Sequence, residues 1–179
     1  MSQSLREMTR QHVDHNQDRG RQETRRYDDK DEVNLPGYAA SLTAYALAAT
    51  GLVLAGRARG QRLPERYELA DIALGGLATH KFARLLGKAS VTSPIRAPFT
   101  EFEEPAGSAE HVESARGGSV RHTIGELLTC PFCLGHWVGT GYVAGLALAP
   151  RQARTWAAVF AVSAVSDGLQ HVYDRLRSD

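Results

Sequence analysis

Polar and apolar positions fall into separate blocks along this chain. Tyr38 to Gly56 (YAASLTAYALAATGLVLAG) is a run of 19 residues without a charge. As a helix it is about 28 Å long, close to the hydrocarbon thickness of a bilayer. A buried helix of a soluble bundle usually keeps a polar stripe; apart from its two tyrosines this run offers only Ser41, Thr43 and Thr50. The pattern predicts a membrane-crossing helix.

A second helix is predicted over residues 68 to 87, where Leu69, Ile72, Ala73, Leu77, Leu85 and Leu86 recur at helical spacing. Lys81, Arg84 and Lys88 lie three and four apart on one of its faces. A charge at the centre of a bilayer costs about 2.5–3.5 kcal/mol on insertion scales. This helix is therefore expected to pack inside a bundle or to snorkel its cations to the interface. A third apolar stretch runs from Leu134 to Pro150, with Gly135 and Gly139, then Gly141 and Gly145, as small-xxx-small pairs that let helix backbones approach closely. A last helix is predicted from about Arg154 to Leu176, with Trp156 and Tyr173 near its ends as interfacial anchors.

Residues 89 to 129 read as a polar connection, with a turn at Ser93 to Phe99 (SPIRAPF) and a flexible stretch from Pro105 to Ser119. The Thr123 to Glu126 spacing fits a capping box opening a short helical turn. No apolar run between Ser93 and Cys133 is long enough to cross, so both ends of this connection are expected on one side of the bilayer. The expected fold class is all-α: a small integral membrane helical bundle of three to four short transmembrane helices, multi-pass in the cell membrane. Basic residues flank the first span on both sides (Arg25, Arg26 and Lys30; Arg57, Arg59, Arg62 and Arg66), so charge bias does not set its orientation.

Residues 1–36 interleave basic and acidic side chains with few apolar ones, and are expected to form a disordered polar tail ahead of a helical membrane domain over 37–179. They do not read as a cleavable signal, because the apolar run begins only near Tyr38. This tail also explains a mean hydropathy of −0.32, which averages very unlike segments. The net charge is +1, from 21 basic and 20 acidic side chains, so no long-range field favours nucleic acid. The expected partners are the lipid bilayer and, within it, a second copy or another membrane protein.

Only two cysteines occur, Cys130 and Cys133, bracketing Pro131 and Phe132 just ahead of an apolar helix. Pro131 suits the first helical turn and Cys130 its cap, where the positive helix end favours thiolate chemistry. Three readings stand: a plain structural or disulfide pair, a redox pair, and a zinc site with Cys130, Cys133 and His136 at three-residue steps and His122 or His111 as a fourth ligand. Ser163, Asp167 and His171 share a face of the last helix. An intramembrane acid is usually paired, and Asp167 is expected to pair with Arg84, with Lys81 as the other partner of suitable type. Arg96, between Pro94 and Pro98, suits backbone carbonyl capping or an anionic lipid headgroup. Glu101, Glu103 and Glu104 read as a solvated acidic loop.

HKFARLLGK (His80 to Lys88), TSPIRAPF (Thr92 to Phe99) and ELLTCPFCLGHW (Glu126 to Trp137) together resemble the bacterial membrane-protein family known as domain of unknown function 1360. The resemblance covers residues 68–150 and extends toward 175. It implies a small integral membrane protein with the Ser93, Pro94 and Arg96 turn and the CPFC block as hallmarks, and no established reaction. The function expected is a structural or interaction role in the membrane. The alternative is a membrane thiol-disulfide oxidoreductase or redox sensor working through Cys130 and Cys133, and a channel or transporter comes third.

Overall fold

A computed structural model describes Tyr27 and residues 33–61, 64–107, 109–118 and 120–178. Two compact units are distinguished, Met1–Ala40 and Ser41–Asp179. Most of the polar tail read over 1–36 lies outside the described residues; where it ends, Leu35 and Pro36 are already helical. Asn34 starts that helix by accepting the Gly37 N–H on its side-chain oxygen at 3.1 Å, which satisfies one of the four N–H groups left open at a helix start.

The described residues form six α-helices and one two-stranded sheet: α1 (Leu35–Ala58), α2 (Leu69–Lys88), a 3-10 turn (Ser90–Thr92), α3 (Ser93–Arg96), β1 (Thr100–Pro105), β2 (His111–Ala115), α4 (Val120–Thr129), α5 (Pro131–Leu148) and α6 (Pro150–Ser178). The all-α expectation is therefore corrected by an antiparallel hairpin inside the supposed polar connection. Its register runs from Thr100 opposite Ala115 to Pro105 opposite His111, with an irregularity between Phe102 and Glu104. Positive φ at Gly107 and Ala109 closes its turn. The acidic cluster lies on β1, where Glu103 accepts from Ser114 and Glu101 faces Arg116. Helix α4 starts at Val120, so Thr123 lies inside it and does not open it as a capping residue.

The number of spans is also corrected. Of the three or four expected, one helix among the described residues, α1, is long and apolar enough to cross a membrane by length and composition. Helix α2 carries Asp71, His80, Lys81, Arg84 and Lys88, and α6 carries charges at both ends, so neither passes as an apolar span on composition.

The core of the larger unit sits where α2, α5 and α6 meet. It consists of Ala78, Tyr142, Leu146, Ala153 and Ala157, with Tyr67, Leu74, Trp156 and Phe160 packed against it. Small residues line the seams: Ala78 and Ala157 are fully buried, while Leu69 is 81% exposed and Val162 70% exposed. Tyr142 lies flat over Gly75, and a Cβ there would overlap its ring. Trp156 is not an isolated interfacial anchor, because it packs edge-on to Phe82 at 5.4 Å and beside Phe160 at 5.1 Å. Of the small-xxx-small pairs, Gly135 and Gly139 face Thr79 of α2 and Gly145 faces Ala153, whereas Gly141 has open space beside it.

Candidate functional site

The C-terminal end of α2 leaves backbone carbonyls without helical partners. Thr92 donates from Oγ1 to the Leu85 carbonyl at 2.5 Å. The guanidinium of Arg96 donates from Nη1 to the carbonyls of Leu86 at 2.8 Å and Ala89 at 3.1 Å, and to Thr92 Oγ1 at 2.6 Å. The 3-10 turn and the single turn of α3 bring Arg96 back under α2, and Pro94 fits the first turn of α3 because it needs no N–H partner there.

Arg96 is fully buried, and its charge is met by Glu113 of β2 in two bonds, Nε to Oε2 and Nη2 to Oε1, both 2.7 Å. Ser93 Oγ accepts from Arg96 Nη2 at 3.2 Å and lies 3.3 Å from Glu113 Oε1 and 3.0 Å from His111 Nδ1. Thr100 donates to Glu113 Oε2 at 3.0 Å. The Arg96 guanidinium holds the Glu113 carboxyl below its ordinary range against the opposing effect of burial, helped by the Thr100 and Ser93 hydroxyls. Every fully buried side-chain nitrogen and oxygen among the described residues has a partner. The guanidinium is thus committed to the protein itself.

The CPFC block is brought to the same end of α2. A Cβ on Gly87 would meet the Leu128 carbonyl at 3.0 Å and Pro131 at 3.4 Å, so α2 passes closely under the start of α5. A side chain on Gly125 of α4 would overlap the Phe99 carbonyl and Ala115, which seats α4 against the hairpin. Cys130 caps α5: its sulfur accepts the Cys133 N–H at 3.2 Å, and Pro131 occupies the first turn. Cys130 and Cys133 lie side by side with Cα atoms 5.3 Å apart, a spacing that suits a disulfide, and Cys133 is on the exposed side. His136 turns Nδ1 to the Phe132 carbonyl at 3.0 Å. No group of three or more His, Cys, Asp or Glu residues among the described ones is arranged to hold a metal ion. Beside the two cysteines, an open groove of about 410 Å³ between α2 and α5 is lined by Thr79, His80, Arg84, Phe132, Gly135 and His136.

The expected Asp167–Arg84 pair is not formed. Asp167 of α6 pairs with Lys81, and Arg84 turns away to Glu110 in two bonds of 2.7 and 2.6 Å. The two cations are three residues apart on α2, and the hairpin end at Glu110 captures the one nearer to it. Ser163 donates to its own helix at the Val159 carbonyl, and His171 is exposed. A second interhelical ion pair escaped the sequence reading: Arg154 of α6 donates from Nε and Nη2 to the two oxygens of Asp71 on α2, each at 2.8 Å, while the Tyr142 hydroxyl donates to the Asp71 carbonyl. The signal for it was Asp71 standing alone in the apolar run ELADIALGG. Glu113 gave no such signal, because it lies in a stretch rich in Gly, Ser and Glu.

The chain matches a family model described as a protein of unknown function, DUF1360, over residues 74–173. It is 35% identical over 88 residues to the sporulation protein YjcA of Bacillus subtilis (strain 168), an alignment that covers 48% of this chain and 74% of that protein. No solved structure matches it. The family match begins within α2 and ends within α6, so the Arg96–Glu113 lock, the hairpin and the CPFC helix start all lie inside it and α1 lies outside.

Proposed function

The chain belongs to the DUF1360 family of proteins of unknown function, and from that premise we propose that it is an integral membrane protein, held in the bilayer by α1, with a structural or interaction role. Helix α1 crosses the bilayer, and α2, α5 and α6 turn their apolar flanks toward lipid. The observation that carries this reading is the display of large apolar side chains on the outside of the helices. Leu42, Leu47, Ile72, Val159, Val162 and Leu169 are exposed, while Ala78, Ala153 and Ala157 let the helices close on Tyr142 and Leu146. In water this would forgo most of the burial that stabilises a core. In lipid it is the expected arrangement, since outward leucine costs nothing there and close backbone approach supplies the packing. The charges of α2 and α6 fit the same reading, because Asp71–Arg154 and Lys81–Asp167 pair in the seam between helices.

The locked end of α2, the hairpin and the CPFC turn then form the polar face that a second copy or another membrane protein would meet. The relative's name, sporulation protein, supports adding spore formation to the phenotypes scored in a deletion strain where the host forms spores. Membrane fractionation tests the placement. The protein should stay in the pellet through an alkaline carbonate wash and be released only by detergent, and recovery in the supernatant without detergent would overturn it.

A second reading is favoured by the placement of Cys130 and Cys133 within bonding reach at the exposed start of α5, a pair that acts as an oxidant once it is joined as a disulfide. There the protein exchanges disulfides with a dithiol partner. A partner thiolate attacks one sulfur of the pair, the partner's second thiol resolves the mixed disulfide, and Cys130 and Cys133 are left as thiols while the partner is oxidised by two electrons. Purified protein should then oxidise a dithiol peptide stoichiometrically and Cys133→Ser should not; equal behaviour of the two removes this reading.

A further inference from the structure

Helix α1 meets α5 at Tyr45. Tyr45 stacks edge-on to Trp137 at 5.3 Å and its hydroxyl bonds Thr140 Oγ1 at 2.6 Å. Beyond Tyr45 toward Ala58 an open groove of about 380 Å³ runs between the two helices. Leu52 and Val53 on one side and Val143, Ala144, Ala147 and Leu148 on the other make its walls almost wholly apolar. It ends at Arg57 and Gln61.

Those two exposed side chains give the groove its polar end. Arg96, Arg84 and Arg154 are each spent on a carboxylate of the protein. Arg57 is not: among the described residues neither its guanidinium nor the Gln61 amide has a hydrogen-bond or ion-pair partner. An apolar channel of small and branched side chains that terminates in a free cation is complementary to an amphiphile with an acyl chain and a negative head. Phosphate and guanidinium pair through two parallel N–H···O bonds, and a basic residue at the end of a span lies at headgroup depth.

We propose that the groove between α1 and α5 binds one acyl chain of an anionic phospholipid, with the phosphate on Arg57 and Gln61. This rests on the membrane placement above. The lipid completes the packing of α1 against α5, where Tyr45 is the only side-chain hydrogen bond between them among the described residues. The anionic-headgroup role that the sequence suggested for Arg96 thus falls to Arg57.

The test uses the full chain purified in detergent, loaded with an equimolar mixture of phosphatidylglycerol and phosphatidylcholine, and weighed with its retained lipid by native mass spectrometry. One phosphatidylglycerol per chain should be retained at least tenfold over phosphatidylcholine. Arg57→Gln should abolish that preference, Ala147→Phe should fill the groove and remove the bound lipid, and Arg57→Lys and Arg59→Gln should keep it. Equal retention of the two lipids, or retention unchanged by both Arg57→Gln and Ala147→Phe, overturns the proposal. Carbonate extraction of the same protein separates the two failures: a carbonate-resistant protein without lipid preference loses only the groove site, whereas a carbonate-soluble one loses the membrane placement with it.

Discussion

Arg96 and Glu113 are joined by two hydrogen bonds of 2.7 Å in a setting where the guanidinium is fully buried, and the remaining donors of Arg96 hold the last carbonyls of α2. One side chain therefore ties the helix end, the turn and the hairpin together. Removing one member of a buried ion pair leaves the other charge uncompensated, at a cost of about 3–5 kcal/mol. Arg96→Ala should lose that much in thermal or denaturant unfolding in detergent. Arg96→Lys should recover little, because a single ammonium cannot reach a carboxylate and two carbonyls in fork geometry. Arg96→Met combined with Glu113→Gln should be more stable than Arg96→Ala alone; if the double variant is the worse one, the pair is not what holds this end together.

The same pair sets a pH dependence. With its native titration lowered by Arg96, Glu113 binds fewer protons folded than unfolded across the interval between the two pKa values, so stability rises with pH there. The contribution is fully present above the unfolded glutamate value of about 4.3 and is lost as the pH falls through the lower, native one. Unfolding of the wild type followed downward from about pH 5 should show this slope. Glu113→Gln should flatten it while lowering stability at neutral pH, and an unchanged slope would assign the acid sensitivity to other groups.

Lys81 and Asp167 join α2 to α6, while Arg84, one turn away, serves the hairpin. The coupling between Lys81 and Asp167 is expected near the lower end of the range of about 0.5–3 kcal/mol for residues in contact, because Asp167 is half exposed. A double-mutant cycle with Lys81→Ala and Asp167→Ala should detect it, and the cycle with Arg84→Ala and Asp167→Ala should be additive. Coupling in the second cycle instead of the first would restore the Arg84 pairing.

Gly75 and Gly76 are neighbours with opposite surroundings. A methyl at Gly75 overlaps the Tyr142 ring, whereas nothing lies within 4 Å of one at Gly76. Gly75→Ala should destabilise the unit by about 1–3 kcal/mol, the usual cost of overpacking. Gly76→Ala should be neutral or stabilising by up to about 1 kcal/mol, since it only improves helix propensity. Melting temperatures of the two variants in one detergent decide the matter, and equal effects would mean that the α2–α5 seam is not closely packed.

What this sequence determined by itself is local. The uncharged run of α1, the helical spacing of α2 and the Cys130–Pro131 start of α5 are all legible, because periodicity, length and capping act over a few residues. The tertiary structure decided the partners. Lys81 and Arg84 share one helix face, and only the placement of α6 and of the hairpin end sorts Asp167 to one and Glu110 to the other. The strands of the hairpin were not legible, because strand preference depends on what the pleated surface packs against more than on composition. HVESA finds that surface where Ala115 packs on Gly125 of α4 and Glu113 meets Arg96. Arg57 shows the same division: the sequence marks it as one cation among several flanking a span, and the apolar groove that it borders exists only where α1 and α5 come together.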